Sequence, residues 1–248
     1  MIKADQPDCF DHTKLVVAVS SAADGQMQLG WHESDQEVAT NRQRFLATSE
    51  IETGKLALVK VEYQPEANYD IIKVVDSTIS ETTRADCLVT ATPHIALFLP
   101  IADCVGTVIY DPVHNVVALA HLGRHSSIAK LAQKTVTFLS AHYSSQPSDL
   151  IIWMAPSIQA PYYVLDLADF ATDDPDWQTF CNPTDAGFSL NLQGYNRNLF
   201  ERSGVMPTNI HTSSVNTANN SVYWSHFIET THKKETPPPR FAVVAMLK

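Results

Sequence analysis

Apolar residues fall along this chain in short blocks, each closed by Asp, Pro, Gly, Ser or Thr. Blocks of that length, rich in Val, Ile and other strand formers, read as buried strands. The pattern predicts strands over 14–20 (KLVVAVS), 56–63, 69–75, 85–90, 95–99, 105–110, 116–120, 150–154, 222–227 and 240–247 (RFAVVAML). Apolar positions at helical spacing predict helices over 35–46, over 190–202, and from Ser126 or Ser127 through Tyr143. The stretches 22–35, 77–84, 211–220 and 230–239 are polar or proline-punctuated and read as loops, and the acidic 165–185 as surface helix and loop. Strands with helices interspersed, and no linker, predict an α+β layered sandwich with a mixed β-sheet, one domain over 1–248. There is no internal repeat and no glycine-rich phosphate loop.

The most informative block is 101–127, IADCVGTVIYDPVHNVVALAHLGRHSS. It reads as strand, turn, strand and helix start, with Asp111-Pro112 favouring the turn. If 111–114 form the loop, Tyr110 pairs with Asn115 and Cys104 falls opposite His121. Opposed residues share a face, with Cβ atoms about 4.5–5.5 Å apart. The pattern thus predicts a thiol beside an imidazole, close to a helix N-terminus suited to an anion. The plainer alternative is a structural thiol beside a hydrogen-bonded core histidine.

Composition narrows the chemistry. The 248 residues are 44% hydrophobic and 18% charged, enough apolar material for a sizeable core. A net charge of −10 argues against a nucleic-acid backbone as partner and is compatible with a small molecule. Cys9, Cys87, Cys104 and Cys181 are scattered, with no CxxC pair. The opening MIKADQPDCF is polar, and no apolar run has transmembrane length. A cytoplasmic protein with no membrane partner is the expectation; the oligomeric state is open.

The segment ADCVGTVIYDPVHNVVALAHLG resembles the signature of the laccase-domain family, also called multicopper polyphenol oxidase-like proteins. Asp103 and Cys104 match its ADC, Asp111-Pro112 its turn, and His121 and Gly123 its final His-Ala-Gly. Further pieces agree in order: Asn41-Arg42, the segment 85–90 (ADCLVT), Ala155-Pro156-Ser157-Ile158 with Tyr163, the segment 223–226 (YWSH), and Arg240. The resemblance implies zinc-dependent phosphorolysis of purine nucleosides such as adenosine, inosine and methylthioadenosine, with adenosine deaminase activity in some members. Other members are described as peptidoglycan-editing factors. It also implies a metal held by two histidines and a cysteine.

Several departures bear on that chemistry. The family's first His ligand aligns with Glu62, so the resemblance implies a Glu62, Cys104, His121 set, both metal-binding and catalytic. That set is chemically reasonable for zinc but leaves the metal less positive. His32, His94, His125 and His226 are spare ligand candidates. The Trp that follows the second family His is absent, which displaces Arg124 and His125. Arg42, Asp103, Arg124, His125 and Arg240 are candidates for binding nucleoside and phosphate. Three readings are open: a nucleoside phosphorylase, a degenerate member acting by binding, and a hydrolase in which His121 activates the Cys104 thiolate.

Overall fold

The computed structural model describes residues 7–30, 34–51, 55–63, 67–76, 84–166, 174–233 and 239–248. Numbered along the chain, the strands are β1 (Leu15–Val19), β2 (Lys55–Leu58), β3 (Ile72–Val74), β4 (Cys87–Thr90), β5 (Ile95–Ile101), β6 (Val105–Asp111), β7 (Val116–Leu122), β8 (Ile151–Met154), β9 (Val164–Leu165), β10 (Cys181–Thr184), β11 (Gly187–Leu190), β12 (Ile210–Thr212) and β13 (Phe241–Leu247). The α-helices are α1 (Asp35–Thr48), α2 (Arg124–Ile128), α3 (Leu131–Tyr143), α4 (Pro175–Thr179), α5 (Leu192–Arg202) and α6 (His226–Ile228). One sheet has the order β1-β13-β5-β2, and a second β12-β8-β6-β7-β4-β3. Both are mixed: β2–β5, β3–β4 and β8–β12 pair in parallel, the rest antiparallel. A small antiparallel sheet, β10-β11-β9, lies apart in pairing.

The two large sheets pack face to face. Val17, Leu97, Leu99 and Val243 of the first meet Val108, Tyr110, Val117 and Leu119 of the second in one buried cluster. Helix α1 covers the outer face of the first sheet, with Phe45 and Leu46 on Phe98 and Val244. Helices α3 and α5 cover the outer face of the second, through Leu131, Val136, Leu199 and Phe200. The result is an α+β sandwich of helix, sheet, sheet and helix. Strands buried on both faces need no polar side, which is why their sequences read as apolar runs rather than alternations.

The tertiary structure corrects the sequence reading in several places. The hairpin loop is 112–115, with Asp111 paired to Val116 and Gly106, not Cys104, opposite His121. Asp111 stays on its strand because its carboxylate folds back over the loop. It accepts from the Val113 and His114 amides at 2.8 and 3.0 Å and meets the His114 ring at 2.9 Å. Asn115 closes the loop in the left-handed region, at φ 52°. The pairing is displaced by two residues from the predicted one, so side-chain faces are conserved. Cys104 and His121 therefore remain on one side.

The long helix expected through 143 is two helices, broken at Lys130 (φ 62°). Gly123, not Ser126 or Ser127, is the N-cap of α2. The strand expected over 56–63 ends at Leu58 and continues only as a Lys60–Arg84 bridge. No strand forms over 222–227, because the Phe227 and Ile228 amides are taken by the side chains of Asp103 and Ser225. The expected loop over 211–220 begins within β12, and 181–184 is a strand. Residues 77–83 and 167–173 of the expected loops, and 234–238, lie outside the described residues. No helix among the described residues is long and apolar enough to cross a membrane. All four cysteines are free thiols.

The Asp111 side chain is fully buried. Burial pushes its carboxyl upward, but hydrogen bonds from the His114 amide and ring and the Val113 amide outweigh this and hold it below the usual carboxylate range. A lowered native value means its contribution is complete above the unfolded carboxylate range. That contribution is lost as pH falls through the lowered value. Asp111→Ala is expected to cost about 1–3 kcal/mol in urea unfolding at neutral pH. The difference from wild type should shrink on acidification, read from midpoints across a pH series.

Candidate functional site

The chain crosses from one large sheet to the other between β5 and β6, and the site is built at that crossing. Asp103 turns the backbone there in the left-handed conformation, φ 71°. Its buried carboxylate accepts from Thr217 Oγ1 at 2.5 Å, Ser225 Oγ at 3.0 Å and the Phe227 amide at 2.6 Å. Its carbonyl accepts from the Ile158 amide at 2.9 Å. One residue thus fixes three later segments around the crossing and aims Cys104, next in sequence, toward the gap between the sheets.

His121, near the end of β7, faces the same gap. Its cross-strand partner Gly106 lies so near β13 that a Cβ there would stand 2.9 Å from Val243 Cγ2. Gly123 matters more. A Cβ at that position would stand 3.0 Å from Cys104 Sγ and 2.9 Å from His121 Cε1. The sulfur and the imidazole therefore converge on a patch of bare backbone. Ser126 anchors this corner, accepting from the Gly123 amide at 2.9 Å and donating to the His121 carbonyl at 2.7 Å. Helix α2 starts beside the site but has only five residues.

Around these groups opens a cleft of about 920 Å³, ample for a nucleoside with phosphate. Its wall includes the sequence-predicted residues Arg42, Cys104, His121, Arg124, His125 and Arg240. Arg42 is buried, donates to the Met27 carbonyl at 2.9 Å and lies 5.2 Å over the Phe98 ring, so much of its role is to hold the wall. Arg240 reaches deeper, with Nη2 at 3.2 Å from His226 Nδ1. The His125 ring stacks on Tyr69 at 4.6 Å and 19°. Asp103 stands behind the wall as a support rather than in it.

Glu62 does not join the group. Its carboxylate lies 3.8 Å from Arg84 Nε, and it is absent from the cleft wall. The neighbouring Tyr63 takes the inward place, with its hydroxyl 3.3 Å from His121 Nε2. Successive side chains of an extended segment point to opposite sides, so Tyr63 facing inward turns Glu62 outward. The sequence reading missed Tyr63. The only available signal was its position one residue after the aligned ligand, where a slip of one reverses the face.

Burial and the Asp103 carboxylate push the Cys104 thiol up to about 11. Burial, then the Arg240 and His125 charges, pull His121 down to about 4. Burial thus favours the uncharged form of both groups.

Catalytic zinc takes three protein donors and keeps one position open. Cys104 and His121 supply two, and His121 Nδ1 is buried without a partner among the described residues. Among the described residues no third His, Cys, Asp or Glu stands with them. His226 is engaged with Arg240, and His94 lies just before β5, outside the cleft wall. His32 lies outside the described residues. The described donors do not fit the three-ligand zinc site that the resemblance implies.

The family model described as multi-copper polyphenol oxidoreductase laccase matches residues 12–245. The chain belongs to this family. A purine nucleoside phosphorylase, YlmD, of Bacillus subtilis is 30% identical over 146 residues, 57% of this chain and 52% of that protein. A Streptomyces coelicolor purine nucleoside phosphorylase is 28% identical over 151 residues, 60% of this chain and 61% of that one. The chain thus spans about half the length of the first of these curated relatives. Solved structures share the fold: YlmD from Geobacillus stearothermophilus (TM-score 0.82, 20% identity, 98% of this chain and 94% of that one), and the Bacillus licheniformis protein YfiH (0.81, 20%, 94% and 93%).

If the bare backbone at Gly123 lets sulfur and imidazole meet, Gly123→Ala is expected to destabilise the protein by about 1–3 kcal/mol through overpacking. Adding Cys104→Ala should recover part of that loss by removing the struck sulfur. A double-mutant cycle in urea reads both effects, and strict additivity would show that the two positions do not touch.

Proposed function

We propose that this protein cleaves purine nucleosides with inorganic phosphate, giving the free base and ribose 1-phosphate. One observation carries the reading. A chain of net charge −10 gathers Lys60, Arg124 and Arg240 around a single cleft, beside the aromatic rings of Tyr63, Tyr69 and His125. Cations suit phosphate, and flat rings suit a purine. The names of the curated relatives point the same way.

In this reading Arg240 and Arg124 hold phosphate beneath the ribose, and the Tyr69–His125 stack gives the base a face to lie on. A phosphate oxygen bonds to the anomeric carbon as the glycosidic carbon–nitrogen bond breaks. The bonding pair leaves with the purine, which takes up a proton. Positioned charge and orientation do most of the work, because no covalent intermediate is needed. The uncharged Tyr63, His121 and Cys104 offer hydrogen bonds to ribose hydroxyls. Nucleosides and phosphate as substrates, with four free thiols, fit the cytoplasm.

Inosine with phosphate should yield hypoxanthine, followed by chromatography with and without added zinc. Arg240→Gln is expected to raise KM for phosphate by about tenfold or more, with a smaller effect on KM for inosine. No hypoxanthine at high enzyme concentration under either condition would remove the proposal.

A further inference from the structure

We propose that His226 binds phosphate through its Nε2–H, a donor that is fixed because the other ring nitrogen accepts from Arg240. The inference deepens the phosphorolysis reading and rests on it for the identity of the anion.

Arg240 Nη2 lies 3.2 Å from His226 Nδ1. A guanidinium has five N–H donors and no acceptor, and it keeps its proton in proteins. It can only donate in this contact, so Nδ1 brings the lone pair. A neutral imidazole has one nitrogen of each kind, and the hydrogen bond at one decides the state of the other. The proton therefore sits on Nε2. Partial burial and then the Arg240 charge pull His226 below the usual histidine range, which favours the neutral ring. The side chain is solvent-accessible in the cleft wall, so a ligand can reach it.

Both partners are held by their own segments. Ser225 Oγ and the Phe227 amide donate to the same Asp103 oxygen, at 3.0 and 2.6 Å. His226 is the residue between these two anchors. The Phe227 ring also meets Tyr163 edge-on, at 6.0 Å and 87°. The Arg240 amide donates to Gln26 Oε1 at 2.8 Å, and its Nη1 to the Pro239 carbonyl at 3.2 Å.

Phosphate is rich in acceptors, so a site for it is built from donors, and hydrogen bonds to an ionised group are the strong ones. Lys60, Arg124 and Arg240 supply charged donors in the wall. His226 adds a directed donor without placing another positive charge beside Arg240. Two acids bear on the balance. Asp103 acts on Arg240 and offsets part of its charge. Asp35, the acid among the described residues of the wall, accepts from the Gly30 amide at 3.0 Å. An anion in that setting gains from a donor that does not depend on net charge.

The test separates the two ring nitrogens. His226→Asn keeps an amide oxygen near the Nδ1 position as acceptor for Arg240, but it is too short to replace Nε2–H. His226→Gln brings an amide N–H near the Nε2 position and lacks the Nδ1 acceptor. Inorganic phosphate is titrated by calorimetry into the full chain, with and without hypoxanthine, and KM for phosphate is measured separately. His226→Asn should weaken phosphate binding by about tenfold, and His226→Gln should stay within about threefold of wild type. In wild type, 15N spectra should show the His226 proton on Nε2, with phosphate shifting that nitrogen more than Nδ1. A proton on Nδ1 would overturn the proposal without any variant. So would no phosphate binding by wild type under either condition, or wild-type affinity in a folded His226→Asn. A larger loss in His226→Gln than in His226→Asn would reduce His226 to a support for Arg240 and also overturn it. Weaker phosphate binding in His226→Asn, with no hypoxanthine formed by wild type, would keep this site and remove phosphorolysis. Hypoxanthine formation with an unchanged KM for phosphate in His226→Asn would do the reverse.

Discussion

The site depends on one buried carboxylate at the place where the chain changes sheets. Asp103 joins β5 to β6 and gathers Thr217, Ser225 and Phe227 on its two oxygens. Burial drives its proton affinity up even with those partners. An acid in that position is costly to place, and it is stable there because three donors meet it. Its left-handed backbone also sets the direction of Cys104. Fold and chemistry are therefore fixed by the same residue: the crossing that lets two sheets stack also delivers the thiol to the gap between them.

Close approach then completes the arrangement. Gly106 lets β6 lie against β13, and Gly123 lets Cys104 and His121 converge. Both glycines matter for the volume they leave rather than for backbone freedom. The two groups they bring together are uncharged near neutrality, since burial opposes charge on each. The positive charge of the cleft comes instead from arginine and lysine side chains. The cleft wall therefore combines cationic side chains with uncharged donors.

Family membership and fold agree, since the laccase-type model spans nearly the whole chain and structures at 20% identity superpose at TM-scores above 0.8. The layered core tolerates wide sequence change because buried apolar residues of similar volume substitute for one another. A donor set does not, because coordination needs particular atoms at particular distances.

The sequence by itself determined the α+β class, most strands, helices α1 and α5, and the nearness of Cys104 to His121. Those features follow from local pattern: apolar runs, helical spacing and a turn-forming Asp-Pro. The two-residue error in the hairpin left the pairing of faces intact, because side chains alternate with period two. Only the tertiary structure decided which of Glu62 and Tyr63 faces inward, since a single residue of phase reverses that choice. It alone also gave Asp103 its partners, which arrive from more than a hundred residues away. Local sequence cannot encode such distant contacts legibly, because what selects them is the packing of one sheet on another.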